Sequence, residues 1–85
     1  MSDKQTAESF GKALRQRRKE LGLNQVDVCN LAGVGAVFLY DLERGKPSVR
    51  LDKVLAVLEV LGLGLELRES RQVLSTKLDA QEDDR

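Results

Sequence analysis

The chain has 85 residues, with 14 Lys and Arg against 14 Asp and Glu, no His, no Trp and a single cysteine, Cys29. That length supports one small helical core, and the residue inventory excludes a disulfide framework, a Cys/His zinc cluster and His-based catalysis within one chain. The polar start MSDKQTAES, and the lack of any apolar run near the ~20 residues of a membrane span, lead to the expectation of a soluble, cytoplasmic protein with no secretory signal and no membrane partner.

Residues 1–6 are expected to be a flexible N-terminus, with Thr6 capping the first helix. From Ala7 to about Leu21, the residues Phe10, Leu14 and Leu21 fall near one helical face. The opposite face carries Lys12, Arg15, Arg17, Arg18 and Lys19, so a neutral total conceals a local basic field. That cluster reads either as a solvated face or as a phosphate-facing one. Gly22 ends the helix.

Asn24 with Asp27 three residues later has the form of a capping box. It opens a second helix from Gln25 to about Leu31 that buries Val28, Cys29 and Ala32. Cys29 is expected to pack as a small hydrophobe. In the turn Ala32-Gly33-Val34-Gly35, Gly33 supplies a positive φ. A third helix from about Ala36 to Arg44, with Leu39 and Leu42 inward, stops at Gly45. Residues 24–44 therefore read as two short helices joined by a tight turn.

Pro47-Ser48 leads into a fourth helix from about Val49 or Arg50 to Leu61. Its stripe is Leu51, Val54, Leu55, Leu58 and Leu61, widened by Val57, and Gly62 closes it. Leu63, Leu65 and Leu67 then alternate with small or polar residues, the period of a strand. A lone strand leaves backbone groups unpaired. Residues 63–69 are therefore expected to pair with the same strand of a second copy, making a homodimer. Residues 70–85 have only Val73, Leu74 and Leu78 as apolar anchors, and are expected to be a polar, partly disordered tail with room for one more short helix. No carboxylate pair suits catalysis, and Gly33-Val34-Gly35 lacks the strand and Lys of a phosphate loop. No enzyme activity, metal or cofactor is expected.

Residues 8–67 resemble the Xre/Cro-type helix-turn-helix family of bacterial and phage repressors. The motifs that carry the resemblance are Gly22-Leu23-Asn24-Gln25, Ala32-Gly33-Val34 and Leu42-Glu43-Arg44-Gly45-Lys46. The run from Pro47 to Leu55, followed by Leu61 to Leu67, is similar to the HipB-type antitoxin subgroup. The resemblance implies a mainly all-α, lambda-repressor-like helix-turn-helix domain of four to five helices over residues 7–62, with the short C-terminal β-strand paired across a homodimer. It also implies a transcriptional repressor that binds double-stranded operator DNA ahead of its own operon, and a HipA-type kinase toxin as protein partner.

Carried over residue by residue, the resemblance places Asn24 and Gln25, at the start of the second helix, on DNA phosphate. Arg44 and Lys46 take backbone-contacting positions, and Arg15 is the best phosphate candidate of the basic cluster. Arg18 and Glu43 form a structural ion pair. The third helix is the recognition helix, and its reading positions are Gly35, Ala36, Val37 and Phe38, then Tyr40 and Asp41. None of the first four offers a bidentate contact to guanine or adenine. Ala36 and Val37 offer thymine-methyl contacts, Tyr40 a hydrogen bond to base or phosphate, and Asp41 an acceptor for a cytosine amine. Specificity then leans on methyl contacts and DNA shape. Phe38 has a second reading, folded back against the second helix. Two other functions stay open: a protein-interaction module that uses Ala36-Val37-Phe38 and Tyr40 as an apolar patch, and a stand-alone phage-type repressor with no toxin.

Overall fold

A computed structural model describes residues 3–69, and the expectations for the tail after Glu69 lie outside the described residues. Four helices follow in order: α1 (Asp3–Glu20), α2 (Gln25–Ala32), α3 (Ala36–Arg44) and α4 (Leu51–Val60). The described residues are all-α: the four helices fall close to where the periodicity predicts them, and the strand it predicts at residues 63–69 does not form.

α1 begins earlier than its caps suggest. Thr6 sits inside the helix rather than capping it, and residues 3–6 are helical rather than flexible. Nothing in Lys4-Gln5 resists a helix, since Lys and Gln are good formers. Leu21 lies past the helix end and is exposed.

α2 opens on a reciprocal cap. The Asp27 N–H donates to Asn24 Oδ1 at 2.8 Å, and the Asn24 N–H donates to Asp27 Oδ2 at 3.0 Å. Two otherwise orphaned amides are satisfied in this way. Its other end closes on Gly33 at φ 70°, whose N–H donates to the Cys29 carbonyl. Ala32 is only half-buried.

The core is Leu14 of α1, Val28 and Cys29 of α2, Leu39 and Leu42 of α3, and Val54, Val57, Leu58 and Leu61 of α4 and its end. Leu and Val side chains removed from water in this way contribute about 1.5–3 kcal/mol each. α1 packs on α3, while α2 packs on both α3 and α4. The α1–α3 approach is close enough to require two glycines. A Cβ on Gly11 would stand 2.5 Å from the Leu42 carbonyl oxygen and 2.6 Å from that of Glu43. Gly45 has φ 91°, and a Cβ there would stand 2.6 Å from Glu8 Cα. On the far flank of α1, Arg17 Nε donates to the Leu61 carbonyl at 2.9 Å and ties α1 to the end of α4.

Two expectations about the C-terminal half change. α4 starts at Leu51, with Arg50 at its N-cap. Of its apolar stripe, Val54, Val57, Leu58 and Leu61 are buried, but Leu51 and Leu55 are exposed. A stripe is buried only where a neighbour covers it, and α2 covers one side. Residues 63–69 form no strand and no ladder. A single chain offers this segment no pairing partner; Leu63 packs partly on the core, while Leu67 is 94% exposed. Among the described residues, no helix is long and apolar enough to cross a membrane.

Candidate nucleic-acid interface

A buried ion pair links α1 to the end of α3. Arg18 Nε donates to Glu43 Oε2 at 2.7 Å and Arg18 Nη2 donates to Glu43 Oε1 at 3.0 Å. Arg18 is 7% exposed and Glu43 5%. The third Arg18 nitrogen, Nη1, donates to the Leu23 carbonyl at 2.9 Å. Hydrogen bonding to Glu43, and then its charge, hold the Arg18 guanidinium above its ordinary pKa, against the opposing effect of burial. Removing one partner from such a pair costs about 3–5 kcal/mol, because the other charge is left buried alone.

Gln25 completes this floor. Its Nε2 donates to Glu43 Oε1 at 3.0 Å, so the first residue of α2 braces the last turn of α3. Above the floor lies an open cleft of about 580 Å³, lined by Arg15, Arg18, Gln25, Tyr40, Glu43 and Arg44. Arg18 is neutralised by Glu43, which leaves Arg15 and Arg44 as the exposed cations of the cleft. The Arg44 guanidinium sits 5.3 Å from the centre of the Tyr40 ring, a cation–π distance that favours a preferred position over a sweep through solvent.

The structure therefore gathers Arg15, Gln25, Tyr40 and Arg44 into one cleft. Lys46 and Asp41 are displaced from it. Lys46 Nζ lies 3.7 Å from Asp41 Oδ2, and both line a neighbouring cleft with Lys4 and Glu8. Asn24 stands beside Gln25 with its side-chain oxygen engaged in the α2 cap.

The first turn of α3 is a different surface. Gly35 is the N-cap, with no side-chain hydrogen bond closing the turn and no acid in it. Ala36 is exposed and Val37 is 75% exposed. Phe38 follows its second reading in part: it packs half-buried against the core, with the Lys53 ammonium of α4 5.7 Å from its ring centre. It is thus withdrawn from the open face that Ala36 and Val37 occupy. Cys29 is buried; desolvation, then the Glu43 charge, push its thiol pKa up, which keeps it a neutral packing group.

Three residues escaped the sequence reading. Gly11 carries the close approach of α1 to α3, and its only signal was a lone glycine inside a helical pattern. Arg17, grouped with the basic cluster read as a solvated or phosphate-facing face, is a tether to the end of α4. Lys4 was assigned to a flexible end, yet the helix brings it beside Arg44 and Lys46. No group of His, Cys, Asp or Glu that could hold a metal ion occurs among the described residues.

A capped α2, a glycine-closed turn and an α3 locked to α1 through Arg18 and Glu43 together define a helix-turn-helix domain. The family model for the helix-turn-helix domain matches residues 9–70, and the chain belongs to that family. It is also 42% identical, over 62 residues, to an uncharacterized HTH-type transcriptional regulator, y4mF, of Sinorhizobium fredii (strain NBRC 101917 / NGR234). That match covers 73% of this chain and 82% of the relative.

Proposed function

We propose that this protein is a DNA-binding transcriptional regulator, and more specifically a dimeric repressor that serves as the antitoxin of a HipA-type kinase. The observation that carries the DNA-binding reading is the convergence of Arg15, Gln25, Tyr40 and Arg44 on one open cleft, next to an exposed first turn of α3. Family membership and the likeness to a transcriptional regulator support the same reading.

In this mechanism Arg15 and Arg44 hold DNA phosphates at the start of α2, where free backbone amides add donors. The Arg18–Glu43–Gln25 network sets the angle of α3 on the duplex. Its first turn enters the major groove, where Ala36 and Val37 touch thymine methyls and few hydrogen bonds read bases. Discrimination then comes largely from methyl contacts and DNA deformability. Two copies would place their α3 helices in half-sites about 34–36 Å apart. The alternating, exposed leucines Leu65 and Leu67 support pairing of residues 63–69 between copies. Repression follows from occupation of the operator. The toxin partner rests on the resemblance of residues 47–67 to the HipB-type subgroup.

A gel shift with the duplex upstream of its own gene, against a shuffled duplex, tests the central claim. Equal affinity for the two rejects a specific operator. Substituting Arg44 and Lys46 with Ala should weaken binding to both duplexes and flatten the salt slope. Sedimentation of the free protein tests the dimer, and co-purification with the product of a neighbouring kinase gene tests the antitoxin role. The 75% exposure of Val37 favours one competing reading, a protein-interaction module. That reading gains if the Arg44 and Lys46 changes leave DNA affinity and its salt dependence untouched.

A further inference from the structure

Two further clefts lie beside the cleft at Arg15, in the seam between α1 and the end of α3. Arg44 lines all three. One adds Lys12 and Glu8, and the other adds Lys4 and Lys46. On α1, Lys4, Glu8, Lys12 and Arg15 are spaced by four, four and three residues, which places them on one flank of the helix. Gly11 brings that flank down onto α3, while Arg17 on the other flank is held by the end of α4. The two flanks of α1 are therefore different in kind: one is tethered to the protein and the other is a row of open cations.

Charge along the seam is one-sided. Lys4, Lys12, Arg15, Arg44 and Lys46 are all exposed. Glu43 is neutralised by Arg18, so among the described residues lining these clefts the carboxylates that oppose the cations are Glu8 and Asp41, the latter 3.7 Å from Lys46. From Lys4 to Arg15 the helix rises about 16 Å at ~1.5 Å per residue. Successive phosphates of one DNA strand are spaced ~3.4 Å along the duplex axis. The row is thus long enough to meet several phosphates of one strand, and too long to be matched to a single small anion.

We infer that this seam is a backbone-tracking surface, in which Lys12 and Lys4 continue the duplex contact that starts at Arg15 and Arg44. The inference rests on the DNA-binding reading above and adds residues to it. The early start of α1 has a role in this surface, since it carries Lys4 to the far end of the row. These contacts carry no base information, so they act on every duplex alike. Glu8, in the middle of the row, works against them.

The test is fluorescence anisotropy of the full chain on the upstream duplex and on a shuffled duplex, across a range of salt. The double variant Lys4→Gln with Lys12→Gln should weaken binding to both duplexes by the same factor. It should also lower the slope of log K against log salt by roughly 0.9 for each cation removed. Glu8→Gln should do the opposite and tighten binding to both. Arg44→Gln serves as the reference, and circular dichroism confirms that each variant keeps its helices. If Arg44→Gln lowers the slope while the Lys4 and Lys12 changes leave it as in the unaltered protein, the seam is not a DNA track and the DNA-binding reading stands. A loss confined to the upstream duplex also overturns the inference, because tracking is blind to sequence. If the unaltered protein binds neither duplex, both ideas fall together.

Discussion

The last turn of α3 and its first turn differ in almost every physical respect. Glu43 is clamped by Arg18 and Gln25, Arg44 lies over Tyr40, and Gly45 is wedged against Glu8 of α1. Gly35, Ala36 and Val37, by contrast, are small or apolar, exposed and uncapped by any side chain. A nine-residue helix thus divides its labour between its two ends. One end is held by charge, hydrogen bonds and close backbone packing, which fixes the helix angle. The other end is exposed and held by no side-chain cap, which suits it to the groove contact proposed above. Changes at the held end should cost folding, while changes at the open end should act on binding alone.

The strongest way to break this contrast is Glu43→Ala. It leaves Arg18 buried without its carboxylate, and unfolding in urea should show a loss of about 3–5 kcal/mol. A loss below about 1 kcal/mol would mean that the held end is not held by this pair. Gly11→Ala comes next. In an open helix this change stabilises by up to about 1 kcal/mol. Here the new Cβ meets two α3 carbonyl oxygens that are themselves part of a helix, so a loss of about 1–3 kcal/mol and a lower Tm are expected. A raised Tm would contradict the close α1–α3 approach.

At the open end, Val37→Ala should leave folding stability within about 0.5 kcal/mol, as for other exposed positions without partners. Its effect should appear only in the preference among duplexes that differ at thymine. A clear fall in stability would show that Val37 packs against something within the chain.

The smallest effect expected lies outside both ends and calibrates them. Arg50 donates to Asp52 through Nε at 3.1 Å and Nη2 at 2.6 Å, on the exposed first turn of α4. The hydrogen bond from Arg50 is the main cause that holds the Asp52 carboxyl below its ordinary pKa. A depressed carboxyl contributes stability that is present above its unfolded pKa and lost as the pH falls through the folded one. Thermal unfolding of the unaltered protein and of Asp52→Asn should therefore differ slightly near neutral pH and converge in acid. Solvent and salt screen this exposed pair, so the gap should also shrink as salt is raised. A gap that persists in acid would assign it to something other than the Asp52 charge.

Most of the helix-turn-helix unit was legible because its signals are local. The Asn24–Asp27 cap, the Gly33 turn and the Gly35 and Gly45 limits of α3 all depend on residues within a turn or so of one another. The start of α1 was not legible, since Asp3 to Thr6 holds no breaker and Thr6, a residue type suited to capping, lies inside the helix. Leu51 and Leu55 were misplaced for another reason. Periodicity says which residues share a face, but not which part of a broad face finds a neighbour. Phe38 was left with two readings for the same reason, and its partial burial against the core follows the second in part.

The site divides in the same way. Arg15, Gln25 and Arg44 were named from the family resemblance, yet their meeting in one cleft depends on the crossing of α1, α2 and α3. Four helical segments, the caps that bound α2 and α3, and an overall charge balance that hides a basic row are all readable from the amino-acid sequence without the fold. Those follow from short-range sterics, propensity and spacing. Apart from Arg18, whose pairing with Glu43 the resemblance implied, it took the folded structure to separate the cations used up within the protein from those left open. Arg17 and Arg18 are bound by the Leu61 carbonyl and by Glu43, while Lys4, Lys12 and Arg15 line one exposed seam. The reason is geometric: a charge is committed or free according to which distant backbone or side chain the fold brings within hydrogen-bonding reach, and spacing along one helix does not contain that information.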